Sequence, residues 1–306
     1  MATATGIPLS ISAPVRARPA PGGAWTAMRL IRRKPLGALA LALVLIVIAA
    51  AVLADVIAPH DPDAIYQGLT LRPPGTVAPE GPPFLLGTDE SGRDILSRLI
   101  YGARISLWVG LLAVGVGTLG GTFVGLVSGY YGSKVDLLLQ RVMDSQQSIP
   151  TLVLALLLVA VLGRSVTNVI LAVGIVQIPH TNRVVRAAVL AIKDNTYIEA
   201  ARVIGCSDTR ILTRYVALNV MAPVIVLATT SLGGAIVAEA FLSFLGMGAP
   251  PPTPSWGAMV SAARPYMIAS PHLILAPSIA LSLTVLGWNL AGDALRDILD
   301  PRMRSA

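Results

Sequence analysis

The sequence predicts an all-α integral membrane fold: six membrane-crossing helices with both chain ends on the cytoplasmic side. Three observations lead there. Of 306 residues, 54% are hydrophobic and 13% charged, whereas a soluble domain carries about a quarter charged residues. The mean hydropathy is +0.72, and uncharged runs close to the roughly 20 residues that cross a bilayer recur along the chain. The basic residues also concentrate in alternate connecting segments.

Taken in order, residues 1–28 are rich in Ala, Pro, Gly and Arg and lack helical or strand periodicity. They are expected to be a disordered cytoplasmic tail. The first crossing is expected within 29–58, where Leu36–Ala54, "LGALALALVLIVIAAAVLA", carries no charge. "VLA" before Asp55 resembles a cleavage site, but a secretory apolar region is shorter and closer to the N-terminus, so the run reads as a retained anchor. Residues 59–104 form an extracytoplasmic segment. A five-helix core is expected over 105–295, with spans near Ile105–Tyr130, Met143–Leu162, Ser165–Ile178 and a little beyond, Leu218–Leu245 and Leu273–Gly292. Pro150 and two glutamines interrupt the start of the third. A cytoplasmic tail, 296–306, closes the chain.

Orientation follows from Lys and Arg, which favour cytoplasmic loops. With the N-terminus inside, Arg16, Arg18, Arg29, Arg32, Arg33, Lys34, Lys134, Arg141, Arg183, Arg186, Lys193, Arg202, Arg210, Arg214, Arg296, Arg302 and Arg304 all fall on the inner side. Arg72, Arg93, Arg98, Arg104, Arg164 and Arg264 remain outside. The same bias accounts for the net charge of +7 without a nucleic-acid partner.

Within the second span, Gly117, Gly121, Gly125 and Gly129 recur every four residues. That spacing lines one helix face with residues that let a partner backbone approach closely. Glu239, in "GAIVAEAFLSFLG", is an acid placed well inside an apolar run. Such residues face a bundle interior or water, so Glu239 either belongs to a permeation pathway or lies near the outer end of its helix as a structural acid, accepting hydrogen bonds from a neighbouring backbone.

Several chemistries lack their residues. "GTDESGRD", Gly87–Asp94, has the GxxxxG spacing but places Arg93 and Asp94 where phosphate and magnesium binding need Lys and Ser or Thr. His60, His180 and His272 are scattered and Cys206 is the single cysteine, which gives no metal set. No GxSxG elbow occurs, and a proton-driven carrier needs more ionisable groups within its spans.

One charged, helix-forming segment lies between two spans: "IEAARVIGCSDTRIL", residues 198–212. Gly205 breaks it after about two turns, and Ser207 or Asp208 can cap a second helix. Two short helices at an angle are therefore expected on the cytoplasmic face, resting on lipid headgroups or filling a groove on another protein.

These residues resemble the EAA loop of importer-type ABC transporter permeases: "EAARVIG" followed by "RYVALNVMAP". "LLGTDESGRDILSRLIYGARISL", "PPTPSWGAMVSAAR" and "GDALRDILDPRMR" are similar to the dipeptide and oligopeptide branch, and to the second permease of its pair. The resemblance implies a type I importer permease, non-catalytic itself, in the bacterial cytoplasmic membrane. It further implies import of di- or oligopeptides, or in relatives of nickel, glutathione or another small solute. Implied partners are a second homologous permease, one or two cytoplasmic ATP-binding subunits holding ATP and magnesium, an extracytoplasmic substrate-binding protein, and membrane lipid. No cofactor is expected on this chain. The coupling loop maps to about 183–217, with Glu199, Ala200, Ala201, Arg202, Gly205 and Asp208 as its coupling residues. Tyr215, Ala217 and Leu218 stand where the family commonly shows His and then Leu-Pro. A stand-alone secondary carrier and a lipid-bound scaffold are the alternatives outside this family.

Overall fold

The computed structural model describes residues 35–299. The expected tail 1–28, the first residues of the 29–58 crossing and residues 300–306 lie outside the described residues. The described chain is helical with no strand; the long connection 59–94 holds only isolated bridges, Thr76 with Phe84 and Thr88 with Asp94.

Apart from the short turns Ala54–Ile57 and Arg264–Tyr266, the helices are α1 (Pro35–Val52), α2 (Ile95–Tyr131), α3 (Ser133–Gln147), α4 (Thr151–Leu162), α5 (Val166–Ile192), α6 (Thr196–Val203), α7 (Asp208–Phe244), α8 (Trp256–Ala263) and α9 (His272–Leu299). Among the described residues, α2, α7 and α9 are long and apolar enough to cross a membrane. The pair α3 and α4 makes a fourth if its bent halves count as one unit. The apolar stretch of α1, Leu36–Val52, is shorter. Helix α5 runs for 27 residues, but Gln177, His180, Asn182, Arg183 and Arg186 dilute its second half.

Three expected boundaries differ. Helix α2 starts at Ile95 rather than Ile105, because the buried Asp94 side chain caps it, accepting from Ser97 N at 2.9 Å and Ser97 Oγ at 2.6 Å. The third apolar run is not one straight helix, since α3 and α4 meet at 90° across Ser148–Pro150. Proline at 150 cannot continue an i to i−4 ladder. The fourth runs beyond Ile178, through Pro179, to Ile192. Pro179 leaves the Ile175 carbonyl without its helical donor, and Gln146 Nε2 replaces it at 2.7 Å. A side chain at the end of α3 thereby mends α5.

The centre of the fold is the seam between α2 and α5. A methyl group on Gly117, Gly125 or Gly129 would lie 2.8 Å from the Cβ of Gln177, Val185 or Val189 respectively. On Gly121 it would meet Thr181 and come within 2.7 Å of the Ile178 carbonyl. The glycine row therefore lies directly on the α5 ridge, the geometry that its spacing implied. At one end of the seam, Arg186 Nε and Nη2 clamp the Asp136 carboxylate at 2.7 and 2.6 Å. Beside this pair, Gln140 donates to Ser128 Oγ at 2.7 Å and accepts from Asn182 Nδ2 at 3.1 Å.

Helix α7 packs against α2, α5 and α9, while α1 lies on α2 and α9. Tyr101 Oη and Arg104 donate to Asp55 at 2.8 Å and at 3.0 and 3.2 Å, fastening the segment after α1 to α2. Leu45, Ile46, Leu119, Phe123 and Val161 face outward as an exposed apolar collar.

Candidate functional site

The segment 198–212 is built as a short helix, a glycine turn and the start of a long helix. Helix α6 ends where Gly205 takes φ +82°, a left-handed conformation that favours glycine. Its N–H bonds the Arg202 carbonyl and the Cys206 N–H the Ala201 carbonyl, both at 3.0 Å, the pattern of a Schellman stop. Ser207 Oγ then accepts from Arg210 N at 3.4 Å. The second helix so capped is not short. It passes through a π-helical turn, Ile211–Val216, and continues to Phe244. Correcting the expected pair of short helices, one short helix abuts a rod. Ile211 and Val216 are fully buried, and their packing carries the helix on into the long apolar run.

The expected coupling residues divide between two faces. Ile198 and Ala201 are buried beneath α6 with Val185, Val189, Ile211 and Tyr130. Ala201 thus packs on the chain's own core. Asp208 accepts from Tyr130 Oη at 2.7 Å, and the Arg202 guanidinium lies 5.6 Å from the Tyr130 ring centroid. Glu199, Ala200 and Gly205 are exposed. Beside them, Val203 is 87% and Ile204 76% exposed. The sequence reading passed over these two and over Tyr130, although the quoted motif "EAARVIG" contains both aliphatics.

Glu239 is 1% exposed. It accepts from Ser243 Oγ at 2.7 Å and Ser106 Oγ at 3.3 Å, bridging α7 to α2 inside the bundle. On this geometry Glu239→Gln is expected to preserve folding and transport, because an amide still reaches both hydroxyls. Glu239→Leu leaves Ser106 buried without that acceptor and is expected to lower stability by about 1–3 kcal/mol. Thermal unfolding beside uptake checks both, and loss of transport in Glu239→Gln with folding intact would instead place the carboxylate in the path.

The GxxxxG loop turns inward on itself. Asp89 accepts from Ser91 N at 2.8 Å, Arg93 N at 2.9 Å and Arg93 Nε at 2.8 Å. The amides that a phosphate would need already serve a carboxylate. Arg98 adds a second cation, 3.6 Å from Asp89. With Glu90, Arg164, Ser243 and the Gly246–Pro251 turn, these residues line a cavity of about 410 Å³ at the end of the bundle opposite α6. Among the described residues, no three His, Cys, Asp or Glu side chains come together as a metal set.

Residues 121–305 match the family described as binding-protein-dependent transport system inner membrane component. Residues 24–74 match the N-terminal TM domain of oligopeptide transport permease C. The chain is 41% identical over 262 residues to the di/tripeptide transport system permease protein of Pseudomonas aeruginosa, covering 86% of each. It is 42% identical over 261 residues to the dipeptide transport system permease protein of Haemophilus influenzae, covering 85% of this chain and 88% of that one. The glutathione transport system permease protein of Escherichia coli is 42% identical over 278 residues, 90% of this chain and 89% of its own. The buried glycine seam, the short helix hinged at Gly205 and these matches converge: the chain belongs to the binding-protein-dependent inner membrane permeases of ABC transporters.

Proposed function

We propose that the chain is one of two permease subunits of an ATP-driven importer of di- and oligopeptides. The observation that carries this reading is α6, a short hinged helix whose outer face offers Glu199, Ala200, Val203 and Ile204 while its inner face is locked to the ends of α2 and α5. A helix presented in that way has the form of a plug for a groove on a partner, here a cytoplasmic ATP-binding subunit that holds ATP and magnesium. The peptide relatives support the cargo, and the glutathione relative is itself named for a small peptide.

Six crossings fit this role if α1, α2, the bent α3–α4 unit, α5, α7 and α9 each pass once. Both chain ends and α6 then lie inside, in agreement with the Lys and Arg bias. The loop 59–94, α8 and the charged cavity lie outside, where a substrate-binding protein delivers solute. The second permease and lipid cover the apolar collar. On this reading the chain catalyses nothing itself.

The test is co-purification of a tagged chain in mild detergent, followed by reconstitution with its binding protein. A second permease and ATP-binding chains are expected in the eluate, with ATP-dependent uptake of di- and tripeptides into proteoliposomes. Uptake of nickel or another non-peptide solute in place of peptides would overturn the cargo. A chain that elutes alone and transports without ATP would overturn the subunit role.

A further inference from the structure

The break between α3 and α4 opens a second cavity, of about 560 Å³, walled by α5 and α7. Its size falls in the range of small-ligand pockets, roughly 300–1,000 Å³. Gln146, Gln147, Gln177, His180, Thr151 and Ser231 supply its polar lining, and no Asp, Glu, Lys or Arg contributes.

The cavity is open on one side and sits near mid-height of the apolar bundle. Helix α4 runs 12 residues, roughly 18 Å at 1.5 Å per residue, from the end bearing Arg164 down to the break. That is more than half of a hydrocarbon core of about 30 Å. Polar side chains and an interrupted helix at such depth are tolerated where they line a water-filled path or are covered by protein, not against lipid. The polar groups here divide by whether they are already used. Gln146 serves the Ile175 carbonyl freed by Pro179. Gln177 Nε2, by contrast, is buried with no hydrogen-bond partner. Gln147 and His180 are exposed. No side chain caps the first turn of α4, and Thr151 in that turn lines the cavity. On the α7 wall, a side chain at Gly234 would meet nothing within 4 Å.

We propose that this cavity is the chain's own subsite for the peptide backbone in transit. Side-chain amides and the open α4 terminus offer hydrogen bonds to main-chain carbonyls and N–H groups, which every peptide presents. A lining without Asp, Glu, Lys or Arg gives the charged side chains of the cargo no fixed ion-pair partner. The subsite therefore reads what peptides share and passes what distinguishes them. It rests on the peptide-permease reading above.

The test uses the reconstituted complex with one binding protein throughout. It measures the ratio of uptake of a Lys-containing to a Glu-containing tripeptide within each variant, so that a lower amount of assembled complex does not enter. Gln147→Glu is expected to raise that ratio and Gln147→Arg to lower it, each by roughly tenfold, as a charge within a few ångströms of a partly desolvated path requires. Gly234→Asp, at an open position, is expected to shift it in the same direction as Gln147→Glu. If wild type imports peptides and all three variants keep its ratio, the subsite is overturned and the peptide-permease reading stands. If wild type imports no peptide, that reading falls and the subsite falls with it.

Discussion

Gly121→Leu is expected to leave almost no folded protein in the membrane. At Gly121 even a methyl group collides with Thr181 and the Ile178 backbone carbonyl, and a carbonyl within a helix cannot swing aside as the tip of a long side chain can. An added methyl or methylene in a packed interior costs about 1–3 kcal/mol. Gly121→Ala should therefore lower the thermal midpoint in detergent measurably, and leucine should exceed the stability of the domain, which is about 5–15 kcal/mol for a typical protein. The neighbouring Gly115 supplies the comparison, because a side chain there meets nothing within 4 Å. Gly115→Ala should be silent or slightly stabilising through helix propensity. Equal tolerance at 115 and 121, measured as yield and midpoint, would falsify the seam as the determinant of the fold.

Val203→Asp and Glu199→Arg are expected to uncouple the permease while leaving it folded. Both residues are exposed in the isolated chain, so neither change opens a core. Val203 is a large apolar side chain left in water at the tip of α6, and burial in a partner's groove would recover its hydrophobic contribution, about 1.5–3 kcal/mol for a fully buried side chain. An aspartate there adds a desolvation cost of the same sign. Loss of copurifying ATP-binding subunits, or at least a tenfold fall in stimulation of hydrolysis by loaded binding protein, is the expected readout. Ala201→Glu is the contrast. It forces a carboxylate among Val185, Val189 and Ile211 and should lower the midpoint of the isolated permease, which the two surface variants should not. Normal coupling in Val203→Asp and Glu199→Arg together would remove α6 as the point of attachment.

The glycine row was legible because a period of four defines a helix face whatever the partner is. The partner was not, since Gln177, Thr181, Val185 and Val189 look like any mixed stretch of a membrane helix until α2 is laid on them. Likewise Pro150 and the nearby glutamines marked the third span as irregular, but the tertiary bond that one of them makes was hidden. Gln146 reaches the Ile175 carbonyl of a helix 29 positions further on, and no local pattern announces it. In the coupling segment, Gly205 was readable from its conformational role. The inward turn of Ala201 and the pairing of Asp208 with Tyr130 were not, because a family motif records which residues recur and not which face of the helix each occupies. Glu239 stood out as an acid in an apolar run, while Ser106, which completes its site, lies on another helix.

Helix α7 is continuous for 37 residues, Asp208–Phe244, about 55 Å of rod at 1.5 Å per residue. One end adjoins the Gly205 hinge and the other carries Ser243 into the charged cavity at the opposite end of the bundle. A displacement at the Gly205 turn is therefore handed toward the far end by one helix rather than through a chain of separate elements. Two stretches can yield: the π-helical turn Ile211–Val216, where the wider winding can take up or release a fraction of a turn, and Pro223 within the helix, which removes one ladder hydrogen bond. A single helix thus joins the two ends of the bundle, with its points of give at the π-turn and at Pro223.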